Sequence, residues 1–259
     1  MSPANPVSNF HAIAIAAVLL SCGCDRTETR TAAVTTNSPA GSSTAPSSTS
    51  AASRDEALVR VVHAMPFAPA MDIFAGDLVL FDAVNFKSVT SYRALDGKRY
   101  AFALRPAGMT NAKPLASNSE GLEDGSYYTV FALPGENRGA HMRVVTDRLT
   151  RPADGKLRLR IVHAGDGVGA VDVRASGMDG TLFSGVAFQT VSDYEELGPV
   201  NGPLEIRAAG GAPIVTLPNA HLEAGRFYTL VLAGSSRSTP ALEAFVIEDT
   251  LAPPPATTR

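Results

Sequence analysis

The chain has 259 residues, 45% of them hydrophobic and 18% charged, which excludes wholesale disorder and allows one or two domains of roughly 100–150 residues each. The net charge is −3 and no basic stripe is present, so the composition argues against nucleic acid as a partner. Both cysteines, Cys22 and Cys24, precede any candidate domain, so we expect a folded part without a disulfide, a thiol nucleophile or a cysteine metal site.

Residues 1–24 have the pattern of an export signal. The apolar run 12–20 is too short to span a membrane, which takes about 20 residues, but it fits the middle of a signal peptide. The letters LLSC that follow resemble the lipobox of bacterial lipoproteins, in which the cysteine receives the lipid. We therefore expect a lipid on Cys22, with Cys24 as the alternative, and a location at the cell envelope, on the periplasmic or surface face of a bacterial membrane.

One feature departs from this pattern. No Lys or Arg precedes Arg26, although signal peptides usually begin with positive charge. An ordinary cleaved signal peptide with incidental cysteines therefore stays open as the alternative.

Two segments are predicted to lie outside the folded part. Residues 25–56 are rich in Ser, Thr, Pro and Ala, and almost no side chain there is large enough to offset the entropy of ordering. This stretch is predicted to be a disordered tether that holds the domains away from the membrane. The tail 252–259 is predicted to be disordered for the same reason.

Residues 57–150 and 151–251 are predicted to be two copies of one unit, because matching segments follow one another in the same order. The matches are RVVHA (60–64) with RIVHA (160–164), FKSVTSY (86–92) with FQTVSDY (188–194), LEDGSYYTVFA (122–132) with LEAGRFYTLVLA (222–233), and VVTDRL (144–149) with VIEDTL (246–251).

Within each copy the hydrophobic period is that of β-strands. In KLRLRIVHA, which ends at Ala164, apolar residues alternate with Arg158 and Arg160, as expected for half-buried strands. Gly-containing turn signals separate such runs. The pattern predicts an all-β chain of two tandem antiparallel β-sandwich domains of immunoglobulin-like type, each with about seven strands. A small barrel is the alternative.

These motifs resemble the bacterial family known as domain of unknown function 4397. The first copy carries RVVHAMPFAPAMDIF (60–74), and the second carries FQTVSDY and LEAGRFYTLVL nearly in full. The resemblance covers roughly residues 58–250. It implies a secreted or surface β-domain that is often duplicated, and it implies no activity.

Two His/Asp pairs, His63 with Asp72 and His163 with Asp172, recur in both copies at the same spacing. A metal site or an acid–base pair is one interpretation. We favour structural roles, because each histidine ends a strand on its inward face and two ligands per copy are fewer than tight zinc sites use. We therefore expect no metal and no cofactor.

The remaining candidates also favour structural roles. Tyr92 and Tyr194 close matching motifs, and we interpret them as core tyrosines with hydroxyls bonded to nearby backbone rather than as sugar-stacking platforms. His141 and His221 have no counterpart in the other copy and are expected at the surface. No nucleophile motif or phosphate-binding loop is present in the sequence, so we expect no enzyme.

The sequence thus favours a non-catalytic module for binding, adhesion or scaffolding. A sandwich carries such functions in its end loops, so the candidates for an unknown protein or glycan ligand are residues 63–71 and 105–125 and their second-copy equivalents. The alternatives are a periplasmic or surface enzyme or metal-binding protein that uses the His/Asp pairs, and a purely structural spacer.

Overall fold

The computed structural model describes residues 56–250, and this part of the chain consists of strands joined by turns and loops. The only helical element within it is a three-residue 3₁₀ turn, Glu136–Arg138. The first copy contains eight strands: β1 (Glu56–His63), β2 (Met71–Ala75), β3 (Leu78–Val84), β4 (Arg93–Asp96), β5 (Arg99–Pro106), β6 (Ala116–Gly121), β7 (Tyr127–Pro134) and β8 (Ala140–Thr146).

The second copy also contains eight strands, in the same order along the chain. They are β9 (Leu157–His163), β10 (Val171–Ala175), β11 (Phe183–Val186), β12 (Glu195–Leu197), β13 (Val200–Ala208), β14 (Pro213–Leu222), β15 (Phe227–Ala233) and β16 (Glu243–Glu248).

Each copy folds into two four-stranded sheets. In the first copy the strand orders are β4-β1-β7-β8 and β3-β2-β5-β6; in the second they are β12-β9-β15-β16 and β11-β10-β13-β14. Strand by strand these orders are identical, so the repeat seen in the sequence is a repeat of topology. The prediction of two tandem all-β sandwiches is confirmed.

Two details differ from the expectation. Each copy has eight strands rather than seven, because the segment 105–125, which we interpreted as one loop, contains strand β6. The sheets are also not purely antiparallel, since β1 pairs with β7 and β9 with β15 in parallel. A sequence pattern marks a strand and its faces, but it does not specify the direction of the neighbouring strand.

Each sandwich encloses its own apolar core. The first is built around fully buried side chains such as Val61, Ile73 and Phe102, and the second around Ile161, Val173 and Leu230. These residues come from both sheets of their copy, as the alternation of the strands requires.

A third apolar cluster joins the two copies. It contains Val62, Phe131 and Leu133 from the first copy and Val162 and Val231 from the second, all fully buried. The sheets that contain β1 and β9 therefore pack against each other through the faces that point away from their own cores. For this reason β1 and β9 are buried on both faces, rather than half-buried as their alternation predicts.

The export signal with Cys22 and Cys24, residues 25–55 of the predicted tether and the predicted tail 252–259 lie outside the described residues, whereas Glu56, predicted as the last residue of the tether, begins strand β1. Between residues 56 and 250, no helix has the length and apolar character needed to cross a membrane.

Candidate functional site

Both repeated histidines are fully buried at the ends of the first strands of their copies. The Nε2 atom of His63 lies 3.3 Å from the carbonyl oxygen of Pro69, and its Nδ1 accepts the backbone N–H of Met65. His163 makes the same contacts with Gly169, at 2.9 Å, and with Gly165. Each imidazole thus bridges the two ends of the loop that follows its strand.

Burial determines the charge state of these rings. Loss of solvent lowers the pKa of His63, although the carbonyl of Pro69 opposes the shift. Burial lowers the pKa of His163 in the same way, opposed by the carbonyl of Gly169. The neutral form is therefore favoured at both positions.

The two aspartates of the His/Asp pairs hold backbone groups of their own. Asp72 accepts the N–H groups of Ala83 at 2.8 Å and Gly108 at 2.9 Å. Asp172 accepts those of Gly185 at 2.8 Å and of Gly210 at 2.9 Å. Each carboxylate therefore ties strand β3 or β11 to the turn after β5 or β13.

The hydrogen bonds of the histidines and aspartates thus go to different backbone groups, and the sequence pairs do not act as hydrogen-bonded pairs. Among residues 56–250, no three side chains of His, Cys, Asp or Glu gather into a set that could hold a metal ion. The arrangement fits loop bracing, and the structural role of His63, Asp72, His163 and Asp172 stays a prediction that metal analysis can test.

The repeated tyrosines belong to a buried polar network rather than to the surface. The hydroxyl of Tyr92 donates to Asp147 Oδ2 at 2.9 Å, and Thr129 Oγ1 donates to the same oxygen at 2.6 Å. Thr129 in turn accepts the Nε–H of Arg60. The sequence predicts a backbone partner for the tyrosine hydroxyl. In the structure the partner is instead the carboxylate of Asp147.

The second copy repeats this network with equivalent residues. Tyr194 and Thr229 donate to Asp249 Oδ2 at 2.8 and 2.6 Å, and Thr229 accepts the Nε–H of Arg160 at 2.9 Å. Asp147 and Asp249 occupy matching places in VVTDRL and VIEDTL, so the alignment of the last strands contained the signal for them.

The two networks are joined across the interface by exchanged ion pairs. Arg60 of the first copy pairs with Asp249 of the second, and Arg160 pairs with Asp147 at 2.7 Å. Burial alone would lower the pKa of Arg60, but Asp249, Tyr92 and Asp147 outweigh it and raise that pKa. The interface thus has a pseudo-twofold relation, as in a symmetric dimer formed within one chain.

The end loops of the first copy enclose an apolar cleft of about 190 Å³. The loop after β1 and the loop between β5 and β6, predicted separately as ligand-binding segments, meet here with the loop after β7. The cleft is lined by Met65, Pro66, Phe67, Ala68, Pro69, Leu115, Pro134, Arg138, Gly139 and Ala140.

Arg138 supplies the only polar side chain among these lining residues. Its guanidinium carbon lies 4.9 Å from the centroid of the Phe67 ring, in cation–π contact. Leu115, which also lines the cleft, is 47% exposed.

The second copy lacks this apolar lining. Gly165, Asp166, Gly167 and Gly169 stand at the positions of Met65, Pro66, Phe67 and Pro69. The core and the loop-bracing histidine are therefore repeated, whereas the apolar tip is particular to the first copy.

The loop ends of both copies lie at the same end of the molecule. Lys87, whose backbone N–H donates to the carbonyl of His63, forms an ion pair through its Nζ at 3.0 Å with Glu243, the first residue of β16 in the other copy. Gln189 likewise donates to the carbonyl of Pro134 across the interface at 3.0 Å. Since β1 begins at Glu56 and ends at His63, these loop ends lie opposite the point where the N-terminal segment joins.

The two other histidines between residues 56 and 250 differ in exposure. His221 is exposed, with its Nε2 3.3 Å from Glu223, whereas His141 on β8 is only partly exposed. Partial burial lowers the pKa of His141, and nearby Arg143 adds to the shift.

A sequence profile described as "Domain of unknown function (DUF4397)" matches residues 57–174 and 177–259 as two tandem segments, which together make up most of the chain. The chain belongs to the DUF4397 family. The first match covers the first sandwich and runs on through β9 into β10 of the second, and the second match covers the remaining strands of the second sandwich.

Two further comparisons add little to this family assignment. A search of proteins with curated functions gave no match. A solved structure described as that of "a putative cell adhesion protein" from Bacteroides uniformis is 12% identical and covers 76% of this chain and 97% of its own, with a TM-score of 0.23.

Proposed function

We propose that this DUF4397 protein is an exported, lipid-anchored and non-catalytic binding module that presents the cleft of its first repeat to a partner. The observation that supports this proposal is the placement of the cleft. It lies at the loop end of β1, whereas the N-terminal segment that carries the export signal joins at the other end of that strand. A strand of eight residues spans about 26 Å, so the cleft lies about that far from the residue at which the described part of the chain begins.

The chemistry of the cleft favours a protein partner over a glycan. Sugars are bound through many hydrogen-bonding side chains, whereas only Arg138 among the lining residues has a polar side chain. The apolar walls suit one large apolar side chain of a partner, and Arg138 suits a carboxylate beside it. We therefore propose an extended segment of a partner protein that carries an apolar residue next to an acidic one.

A peptide array tests this proposal. Peptides in which Leu or Phe is followed by Asp should bind the protein more tightly than matched peptides with Lys at that place. Phe67→Ala should abolish the binding, and Arg138→Ser should remove the preference for Asp. Leu78→Ala is the matched control, because Leu78 is a 54% exposed apolar residue on strand β3 that does not line the cleft. Binding that survives Phe67→Ala, or no binding at all, would reject the cleft as the site.

Anchoring by lipid requires its own experiment. In cells, Cys22→Ser should prevent labelling by a fatty-acid probe and move the protein from the membrane to the soluble fraction, whereas Cys24→Ser should change neither. Membrane retention of the Cys22→Ser variant with Cys24 intact would move the lipid to Cys24 or remove the idea of an anchor.

A further inference from the structure

A second cavity, of about 240 Å³, lies at the interface of the two copies, where β8 of the first copy meets β9 of the second. Three arginines line it: Arg148, Arg158 and Arg160. Asp193, an exposed residue, is the one acidic residue among its lining side chains. The charge that faces the cavity is therefore positive.

The three arginines differ in how far their charges are already balanced. Arg160 has its charge balanced by Asp147, and its guanidinium lies over the rings of Tyr194 and Phe131, although its buried Nη2 makes no hydrogen bond. Arg158 has only a distant partner, since its Nε lies 3.7 Å from Glu196 Oε2, and this buried nitrogen makes no hydrogen bond. The charge of Arg158 is therefore balanced less completely than that of Arg160.

The pseudo-twofold relation of the copies supplies an internal comparison. The place equivalent to this cavity has Leu58 where the cavity has Arg158, and Thr250 where it has Arg148. The arginine that is common to both places, Arg60 or Arg160, belongs to the interface network described above. Arg148 and Arg158 therefore have no arginine counterpart at the equivalent positions of the pseudo-twofold interface. The symmetric packing of the two copies does not require them.

We propose that this cavity is a binding site for a small anionic molecule that carries a phosphate, sulfate or carboxylate group. Arg148 and Arg158 bind its oxygens by charge-assisted hydrogen bonds, and Thr146, Ser192 and Tyr194 complete the polar part of the wall. The volume exceeds that of a single phosphate ion, so the cavity has room for an organic anion.

The test measures binding to the full chain by calorimetry and by the ligand-induced rise in Tm, at constant ionic strength kept with chloride. The probes are inorganic phosphate, glycerol 3-phosphate, succinate and, as the neutral control, glycerol. We expect at least one anion to bind and raise Tm, and glycerol to do neither. A tighter affinity for glycerol 3-phosphate than for phosphate would identify an organic phosphate as the preferred class of ligand. A tighter affinity for succinate than for phosphate would identify a carboxylate.

Variants taken from the other repeat locate the site. Arg148→Thr and Arg158→Leu install the residues that the first copy tolerates at equivalent places, and each should weaken anion binding about ten-fold or more. Asp193→Ser, which installs the equivalent of Ser91, should tighten binding, so the proposal does not depend on loss of binding alone. Arg174→Leu, an exposed arginine on β10, is the control and should bind as the parent does. Absence of binding by every anion, or equal binding by the Arg148→Thr/Arg158→Leu variant, would overturn the proposal.

Discussion

His63 and His163 hold the loops at the tips of the two sandwiches, because in each ring Nε2 lies within hydrogen-bond distance of a loop carbonyl and Nδ1 accepts a loop N–H. Because each ring is fully buried, replacing it leaves loop backbone groups without partners and a void in the packing. His163→Ala should lower the free energy of unfolding by about 1–3 kcal/mol, measured by denaturant unfolding.

The metal content of the purified protein distinguishes bracing from ligation. If the histidines only brace loops, the protein should contain no stoichiometric zinc, copper or nickel, and His163→Ala should leave the metal analysis unchanged. Stoichiometric metal that disappears in the variant would restore the metal-binding interpretation of the His/Asp pairs.

The same two rings should make stability dependent on pH. Burial lowers the pKa of both histidines below the ordinary value of 6.5, so the unfolded chain binds protons more readily than the folded one. The stabilising contribution is complete above pH 6.5 and is lost as pH falls toward the folded-state pKa. We expect Tm to fall between pH 7 and pH 5, and to fall less in the double variant His63→Gln/His163→Gln. Equal slopes in the two proteins would show that other groups carry the dependence.

At the scale of the elements, the end of strand β3 has the same backbone conformation as the end of β11, but a different residue adopts it in each copy. Ala83 donates its N–H to Asp72 with φ of +48°, and the equivalent Gly185 donates to Asp172 with φ of +63°. A left-handed backbone costs an L-residue roughly 1–2 kcal/mol, whereas glycine adopts it without that cost.

Reciprocal substitutions at these two positions should therefore have opposite effects. Gly185→Ala should destabilise the protein by about 1 kcal/mol, while Ala83→Gly should be neutral or stabilising, unlike most glycine substitutions in strands. Thermal unfolding of both variants side by side checks the signs. A loss of stability in Ala83→Gly as large as in Gly185→Ala would show that the positive φ carries no strain.

Much of this element structure was predictable from the sequence, because alternation and the duplication are local signals. The facing of Val61 and His63 toward the core followed from period two alone. The parallel pairing of β1 with β7 did not, because it depends on contacts between segments about 70 residues apart. The strand within 105–125 was missed because its letters ASNSEG have little apolar character, as is common on an exposed edge.

At the scale of the whole molecule, the sequence indicated two domains but not how they pack. The period that places Val61 inward places Arg60 and Val62 on the opposite face, and nothing local shows whether solvent or protein covers that face. In the structure the other copy covers it, with an apolar cluster beside the exchanged ion pairs of Arg60 with Asp249 and Arg160 with Asp147. The sequence likewise predicted the two loops of the cleft as separate ligand-binding segments. That they meet in space depends on the fold and could not be predicted from either loop.

The exchanged pairs make each copy dependent on the other. All four charged side chains are at most 5% exposed, so removing one carboxylate leaves a buried guanidinium without its balancing charge. Asp249→Asn should therefore lower the free energy of unfolding by about 3–5 kcal/mol, and Asp147→Asn by a similar amount. Asp96→Asn is the control, because its pair with Lys98 is exposed and should contribute less than about 1 kcal/mol.

Joint replacement separates the value of the charges from the value of their balance. Arg60→Met combined with Asp249→Leu removes both partners together, so it should cost less than Asp249→Asn alone, since no unpaired charge remains in the interface. Denaturant unfolding of the four variants gives the comparison directly. If Asp249→Asn costs no more than Asp96→Asn, the network does not hold the copies together, and the apolar cluster around Phe131 and Val231 must do so alone.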